Sequence, residues 1–336
     1  MPGALQGGPP LQGSLPLAPS GPSAVAVEPP SAAGSLALGV LFVLAAAALL
    51  SFKGVLVKWA YAEGAGTIPL LYARFAMALP LFWALALARK GIGGIRELTR
   101  RDVVLAVGGA GAAMYIAWAA DFTALKLIDV GLERVILFSF PVFVLLFDSL
   151  RLKRTPPRRH VLALALVELG IVMALGGHDL DYIRANLEGG AYALLSAFMF
   201  AVFIMINQKS TARIGPVRFS TLATTGAFLA LSVHFFALER PESLIFTMRG
   251  YLLTALLAVF ATVVPYLLFA EGLRRTGASR TAVISGIGPP AALAYGFFLL
   301  GEVMTPVQLL GAALVVIGVI ALEARLPRLP SRTAEP

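Results

Sequence analysis

Four stretches of this sequence, 189–208, 250–270, 281–301 and 303–322, contain no Asp, Glu, Lys or Arg. A helix crossing the hydrocarbon core of a bilayer needs about 20 consecutive, mostly apolar residues, and each stretch supplies them. The rest of the chain agrees: 58% of its 336 residues are hydrophobic and only 13% charged, where soluble domains carry about 25% charged. Such a chain predicts an all-α integral membrane protein whose first partner is the lipid bilayer. The absence of cysteine excludes disulfides, thiol chemistry and cysteine metal sites. The three histidines fall on separate segments, so neither a metal nor a cofactor is expected.

Walking along the chain places spans at 36–59, 67–88, 103–123, 131–150, 158–176, 188–208, 217–238, 250–271, 279–300 and 304–323. Cytoplasmic loops of membrane proteins are enriched in Lys and Arg. Counted with the first two residues of the span that follows, segments after the even-numbered spans hold nineteen such residues and those after the odd-numbered spans four. That alternation predicts ten spans with both termini cytoplasmic. It also accounts for the formal charge of +9 through short loops, without a basic domain for nucleic acid. Residues 1–34 carry eight prolines, one acid and no base, a composition expected to stay disordered. They lack the basic start of a secretory signal, so the first span is read as retained. Residues 324–336 are expected to form a cytoplasmic tail.

The second half echoes the first at a constant offset of 148 positions. Pro141 meets Pro289, Val135-Ile136 meets Val283-Ile284, Leu166-Val167 meets Leu314-Val315, and Gly170 meets Gly318. One offset joining a proline, a glycine and paired apolar residues predicts an internal duplication, with repeats at 35–177 and 187–323. Each repeat has five spans. Because five is odd, the second enters the membrane inverted, the usual construction of secondary transporters that work by alternating access.

Several motifs carry a family resemblance: "SFKGVLVKWA" in the first span, "LLYARFAMALPL" in the second, the mid-span prolines of "LFSFPVF" and "ISGIGPPAA", and the closing "LLGEVMTPVQLLGAALVVIGVIAL". Over residues 36–323 the chain resembles the EamA family of the drug/metabolite transporter superfamily. The resemblance implies a ten-helix carrier of small polar metabolites, such as amino acids, acting in export. It also implies that spans three, four, eight and nine line a central cavity, with spans five and ten peripheral. One departure is visible. The Gly301-Glu302 pair before the last span has Lys153-Arg154 at its counterpart.

Ionisable and polar groups inside spans are costly, and they mark substrate paths, internal pairs or snorkelling ends. Lys53 and Arg74 are candidates to hold a substrate, and Arg74 could equally tie its span to a carbonyl or an acid. Tyr115, Trp118 and Phe122 share one helix face by their spacing, with Asp121 adjoining. Trp118 meets Tyr266 at the repeat offset. Tyr115, Trp118, Tyr266 and Ser285 join Lys53 and Arg74 as candidate substrate contacts, against the plainer reading that aromatics pack. Pro141, Pro289 and Pro290 remove helical hydrogen bonds and are candidate helix breaks or hinges. Glu168 is a candidate for proton coupling, a buried structural acid, or a contact in a homodimer. Glu302 is expected to cap or pair at the turn before the last span.

Other classes fare worse. No G-x-S-x-G, H-E-x-x-H or phosphate-loop pattern occurs, so the chain is not read as an enzyme. No filter loop or repeated pore-lining ring suggests a channel. The alternatives to a metabolite exporter are a non-transporting membrane subunit supporting lipid modification and a carrier of nucleotide- or sugar-type solutes. The richness in Ala and Arg, with short loops, points to a bacterial inner membrane.

Overall fold

The computed structural model describes residues 32–88, 98–152, 158–175, 179–276, 281 and 284–323. The expected N-terminal tail lies almost wholly outside these residues, as do the C-terminal tail and many of the basic loop residues that gave the charge alternation.

Among the described residues the apolar segments form ten helical elements. In chain order they are α1 (Ala32–Ala62), α2 (Thr67–Ala88), α3 (Arg100–Leu127) and α4, in two pieces (Val130–Leu137 and Phe140–Leu152). They continue with α5 (Arg158–Ala174), α6 (Leu180–Ile214), α7 (Pro216–Leu238) and α8 (248–276). The last two are α9 (Gly288–Leu300) and α10 (Pro306–Glu323). Seven of the ten, α1 to α4 and α6 to α8, are long and apolar enough to cross a bilayer. The apolar portions of α5, α9 and α10 are shorter, at Val161–Ala174, Gly288–Leu300 and Pro306–Ala321.

The reversals have local causes. Gly215, at φ 83°, and Pro216 at the first helical position turn α6 sharply into α7; glycine adopts that backbone freely and proline suits a first turn. Gly301, at φ 70°, ends α9.

The packing pairs repeat when the halves are exchanged. α1 lies on α8 as α6 lies on α3; α1 touches α9 as α6 touches α4; α2 touches α8 as α7 touches α3. Three pairs, α2 with α7, α4 with α9 and α5 with α10, map onto themselves. Individual contacts give the directions. Along α3 and α7, Val107 meets Gly226 and Tyr115 meets His234, so this pair is parallel. Along α3 and α6, Ile128 meets Gly189 and Gly109 meets Ile206, so this pair is antiparallel. Arg74 meets Ala261 and Phe82 meets Tyr266, which makes α2 and α8 parallel. Trp83 meets Thr225 and Tyr72 stacks on Phe235, which makes α2 and α7 antiparallel. From these contacts α2 and α7, and likewise α3 and α8, run in opposite directions. The two halves therefore interlock with reversed polarity.

Small residues let the helices approach. A Cβ on Gly226 would stand 1.9 Å from the Val107 carbonyl oxygen, and one on Gly170 would stand 2.6 Å from that of Gly311. Apolar side chains gain little by leaving lipid for a helix interface, so close backbone contact of this kind carries the association.

Candidate functional site

Four helices of the first half bring a set of charged side chains together in the interior. Lys53 of α1, Arg74 of α2, Asp121 of α3 and Glu133 of α4 are 3%, 0%, 2% and 1% exposed. Burying a charge is expensive unless it is paired and hydrogen-bonded, so their partners define the site. Lys53 Nζ donates to Asp121 Oδ2 in a buried ion pair. Arg134, next to Glu133 on α4, donates from Nη2 to the Leu50 carbonyl of α1.

Arg74 reaches across to the second half. Its Nε donates to Thr262 Oγ1 at 2.8 Å and its Nη2 to the Ala261 carbonyl at 3.3 Å. Both acceptors sit in a π-helical turn of α8, Val259–Val263. Such a turn leaves carbonyls without their α-helical donors and often marks a functional position. The guanidinium also lies over the Trp118 ring, 3.8 Å from its centroid, with Phe122 at 5.2 Å; Lys53 Nζ is 5.4 Å from the same indole. Trp118 is thus a shared wall for two cations. A cation over an indole face gains about 2 kcal/mol or more when desolvated.

Several buried atoms of this cluster have no hydrogen-bond donor or acceptor facing them: Arg74 Nη1, Asp121 Oδ1, both Glu133 carboxyl oxygens, Arg134 Nε and Ser139 Oγ. Native proteins leave few such atoms, and each calls for an explanation. Here cationic and anionic atoms without hydrogen-bond partners stand within one interior region.

Of the residues singled out from sequence, the fold gathers Lys53, Arg74 and Trp118 at this cluster. Tyr115 lies one turn away on α3 and bonds through its hydroxyl to His234 Nδ1 of α7. Tyr266 is further along α8, with its hydroxyl 2.5 Å from Ser220 Oγ and its ring edge-on to Phe82. Ser285 donates back to the Thr281 carbonyl. Glu168 is exposed on the outward face of α5, with Leu162, Leu169 and Val172, away from the charged interior.

The prolines occupy first turns. Pro141 is the second residue of the latter piece of α4, after a turn at Phe138 and Ser139. Pro289 and Pro290 open α9 after a turn at Gly286 and Ile287. These turns are themselves related by the offset of 148. The helices are interrupted before the prolines, and the rings sit where a missing amide hydrogen costs least. Ser51 of α1 donates to the Gly288 carbonyl at 2.9 Å and fixes the second break against α1.

Glu302 closes one end of the bundle. Its Oε1 accepts from Val130 N at 2.9 Å and its Oε2 from Gly131 N at 3.4 Å, and Lys58 Nζ is 3.7 Å from Oε1. The carboxylate so caps the first turn of α4, where free amides and the helix dipole favour an anion. Burial pushes its carboxyl above the usual carboxylate range, against the opposing pull of the Val130 amide and Lys58. At the other end of α3, Arg101, Arg151 and Lys209 rim a cleft of about 410 Å³ with Phe147 and Met205.

Sequence reasoning did not single out Glu133, which stands third in the predicted fourth span. The available signal was the adjacent pair Glu133-Arg134, two opposite charges inside an apolar helix. Asp121 was noticed, and its pairing with Lys53 required the fold.

An interior charged cluster walled by an indole, inside two interlocked helical halves of reversed polarity, defines a multi-pass membrane protein of the transporter class. The sequence model of the EamA-like transporter family matches residues 37–176 and again residues 187–323, and the chain belongs to that family. It is 29% identical over 295 residues to the uncharacterized transporter YcbK of Bacillus subtilis, covering 86% of this chain and 94% of YcbK. It is 26% identical over 195 residues to the threonine/homoserine exporter RhtA of Escherichia coli, covering 58% of this chain and 63% of RhtA. A crystal structure matches with a TM-score of 0.59 at 17% identity, over 88% of this chain and 98% of its own, which is a likeness of fold alone.

Proposed function

We propose that this chain is a secondary transporter that exports small polar metabolites of the amino-acid type across a bacterial inner membrane by alternating access. The reading takes all ten helices as spans with both termini in the cytoplasm. The observation that carries it is the occluded cluster of Lys53, Arg74, Asp121 and Glu133 beside Trp118. Its open guanidinium nitrogen suits an α-carboxylate, and its open carboxylate oxygens suit an α-ammonium. Arg74 spans the two halves, so a ligand bound there would feel their relative motion. The named activity of RhtA, a threonine and homoserine exporter, supports the same substrate class.

The sealed state fits one step of such a cycle. All four charged side chains are shut from solvent, and entry needs the halves to rock or the breaks of α4 and α9 to bend. The test is counterflow in liposomes. Purified protein should accelerate exchange of labelled L-threonine or another amino acid against its unlabelled form, and the same compounds should raise its melting temperature by mass action. Saturable movement of sugar-nucleotides alone would move the assignment to that class. No flux of any solute would favour a non-transporting subunit.

A further inference from the structure

We propose that the cleft between α3, α4 and α6 binds one anionic phospholipid, its phosphate held by Arg101, Arg151 and Lys209 and an acyl chain laid along the apolar wall. The inference needs no assumption about cargo. Only its place in the cytoplasmic leaflet rests on the orientation given above.

The cleft has two unlike parts. Its rim carries three cations from three helices: Arg101 is the second residue of α3, Arg151 stands at the end of α4, and Lys209 lies more than a turn before the end of α6 at Ile214. Its wall is apolar, formed by Leu105, Phe147, Val202 and Met205. α3 and the latter piece of α4 both pack on α6, so the cleft opens between them with α6 as its floor. α6 belongs to the second half and the other two helices to the first. A molecule seated here therefore touches both halves.

Basic residues collect at cytoplasmic helix ends in many membrane proteins, and others at this end of the bundle are neutralised within the chain. Arg213 is paired with Asp102 at 3.2 Å and Arg275 with Glu271 at 2.8 Å. The three cations of the cleft differ. Among the described residues no acid lines the cleft, and Arg101, Arg151 and Lys209 make no ion pair. Arginine presents a planar fork that fits phosphate oxygens in pairs, and basic pockets between helices on this side of a membrane suit anionic headgroups.

The wall decides between a lipid and a free anion. Leu105 is 37% exposed and sits in a π-helical turn of α3, Val104–Ala110. A soluble phosphate gains nothing from such side chains, whereas a chain anchored by its own phosphate lies against them. The volume of about 410 Å³ falls within the range of small-ligand clefts. A headgroup and the start of one chain fill it, and the remainder stays in the bilayer. Because the lipid bridges the halves, its occupancy favours the arrangement that keeps the three cations together.

The experiment uses the full chain, delipidated in detergent and titrated with dioleoylphosphatidylglycerol or dioleoylphosphatidylcholine at equal concentration. Native mass spectrometry counts the lipids retained, and melting curves read stabilisation by mass action. Wild type should retain one phosphatidylglycerol in preference to phosphatidylcholine and melt higher with it. Each cation removed should weaken that binding about fivefold, so Arg101→Gln with Lys209→Gln should lose about 25-fold. Arg100→Gln with Arg158→Gln removes the same charge from exposed positions outside the cleft and should leave binding unchanged. Val202→Trp fills the wall without altering charge and should expel the lipid, which keeps the test open if the charge variant fails to fold. An excess of inorganic phosphate should displace no more lipid than chloride at the same ionic strength. Equal retention of the two lipids, undiminished binding by Arg101→Gln/Lys209→Gln, or an equal loss in Arg100→Gln/Arg158→Gln overturns the site. Specific displacement by phosphate, or full binding by Val202→Trp, makes the cleft a free-anion site and overturns the lipid.

Discussion

The Lys53–Asp121 ion pair is buried at both partners, with side chains 4% and 3% exposed. Removing one partner of a buried ion pair typically costs about 3–5 kcal/mol, because the other charge is left uncompensated, whereas replacing both by apolar groups is often neutral. Asp121→Asn should therefore lower stability by about 3–5 kcal/mol, and Lys53→Met combined with Asp121→Leu should recover most of it. Reversible denaturation in detergent checks this; equal losses in the single and double variants would show that the pair does not interact. Lys53, Arg74 and Trp118 were legible in the sequence because ionisable groups inside apolar spans are rare and an indole on the same face is conspicuous. Their grouping was not. Lys53 and Asp121 are 68 positions apart, and no local pattern states which faces of α1 and α3 meet. Glu133 escaped for a related reason. Position within a span does not report burial by neighbouring helices, and Glu133, in the first turn of α4, is buried by such packing.

At the scale of elements, the breaks in α4 and α9 were legible as prolines, and the structure refines their position. The interruptions fall at Phe138-Ser139 and Gly286-Ile287, with the prolines opening the pieces that follow. The repeat offset gave the correspondence, because the same local chemistry stands at both places. Helix contacts were less accessible, since they depend on which small residues face each other. Gly226 is the sharpest case. A Cβ there would collide with the Val107 backbone oxygen at 1.9 Å, and overpacking commonly costs about 1–3 kcal/mol. Gly226→Ala should lower the melting temperature accordingly, while Gly108→Ala, with open space around it, should be nearly silent. Glu302 gives a pH prediction. Its folded pKa is raised by burial, so its contribution to stability is full below the unfolded pKa and is lost as pH rises through the folded one. Melting curves should show stability falling across that window, and Glu302→Gln should flatten the decline while keeping one acceptor for the α4 amides. A steeper decline in the variant would reverse the sign.

For the whole molecule, the alternating-access cycle proposed above requires that opening one end closes the other. The end carrying Lys58 and Glu302 is tied three ways: Glu302 to the start of α4, Lys58 to Glu302, and Glu63 to Arg249 at 3.2 Å and to Thr247 at 2.8 Å. Each tie joins an element of the first half to one of the second. If substrate leaves through that end, the ties must break in every cycle. The surface pair Arg249–Glu63, 68% exposed at Arg249, contributes only about 0–1 kcal/mol, while Lys58–Glu302 is the more buried tie, at 24% and 9% exposed. Making it permanent tests the idea without introducing a foreign residue. Carbodiimide activation of Glu302 beside Lys58 Nζ, 3.7 Å away, can condense the two into an amide with loss of water. The product should bind ligand from one side and exchange none. Lys58→Arg keeps the ion pair but does not form the amide under those conditions, so reagent-treated Lys58→Arg protein should go on transporting. Mass spectrometry of the joined peptides identifies the bond. Unimpaired exchange by a fully cross-linked wild type would mean that this end of the bundle stays shut throughout the cycle.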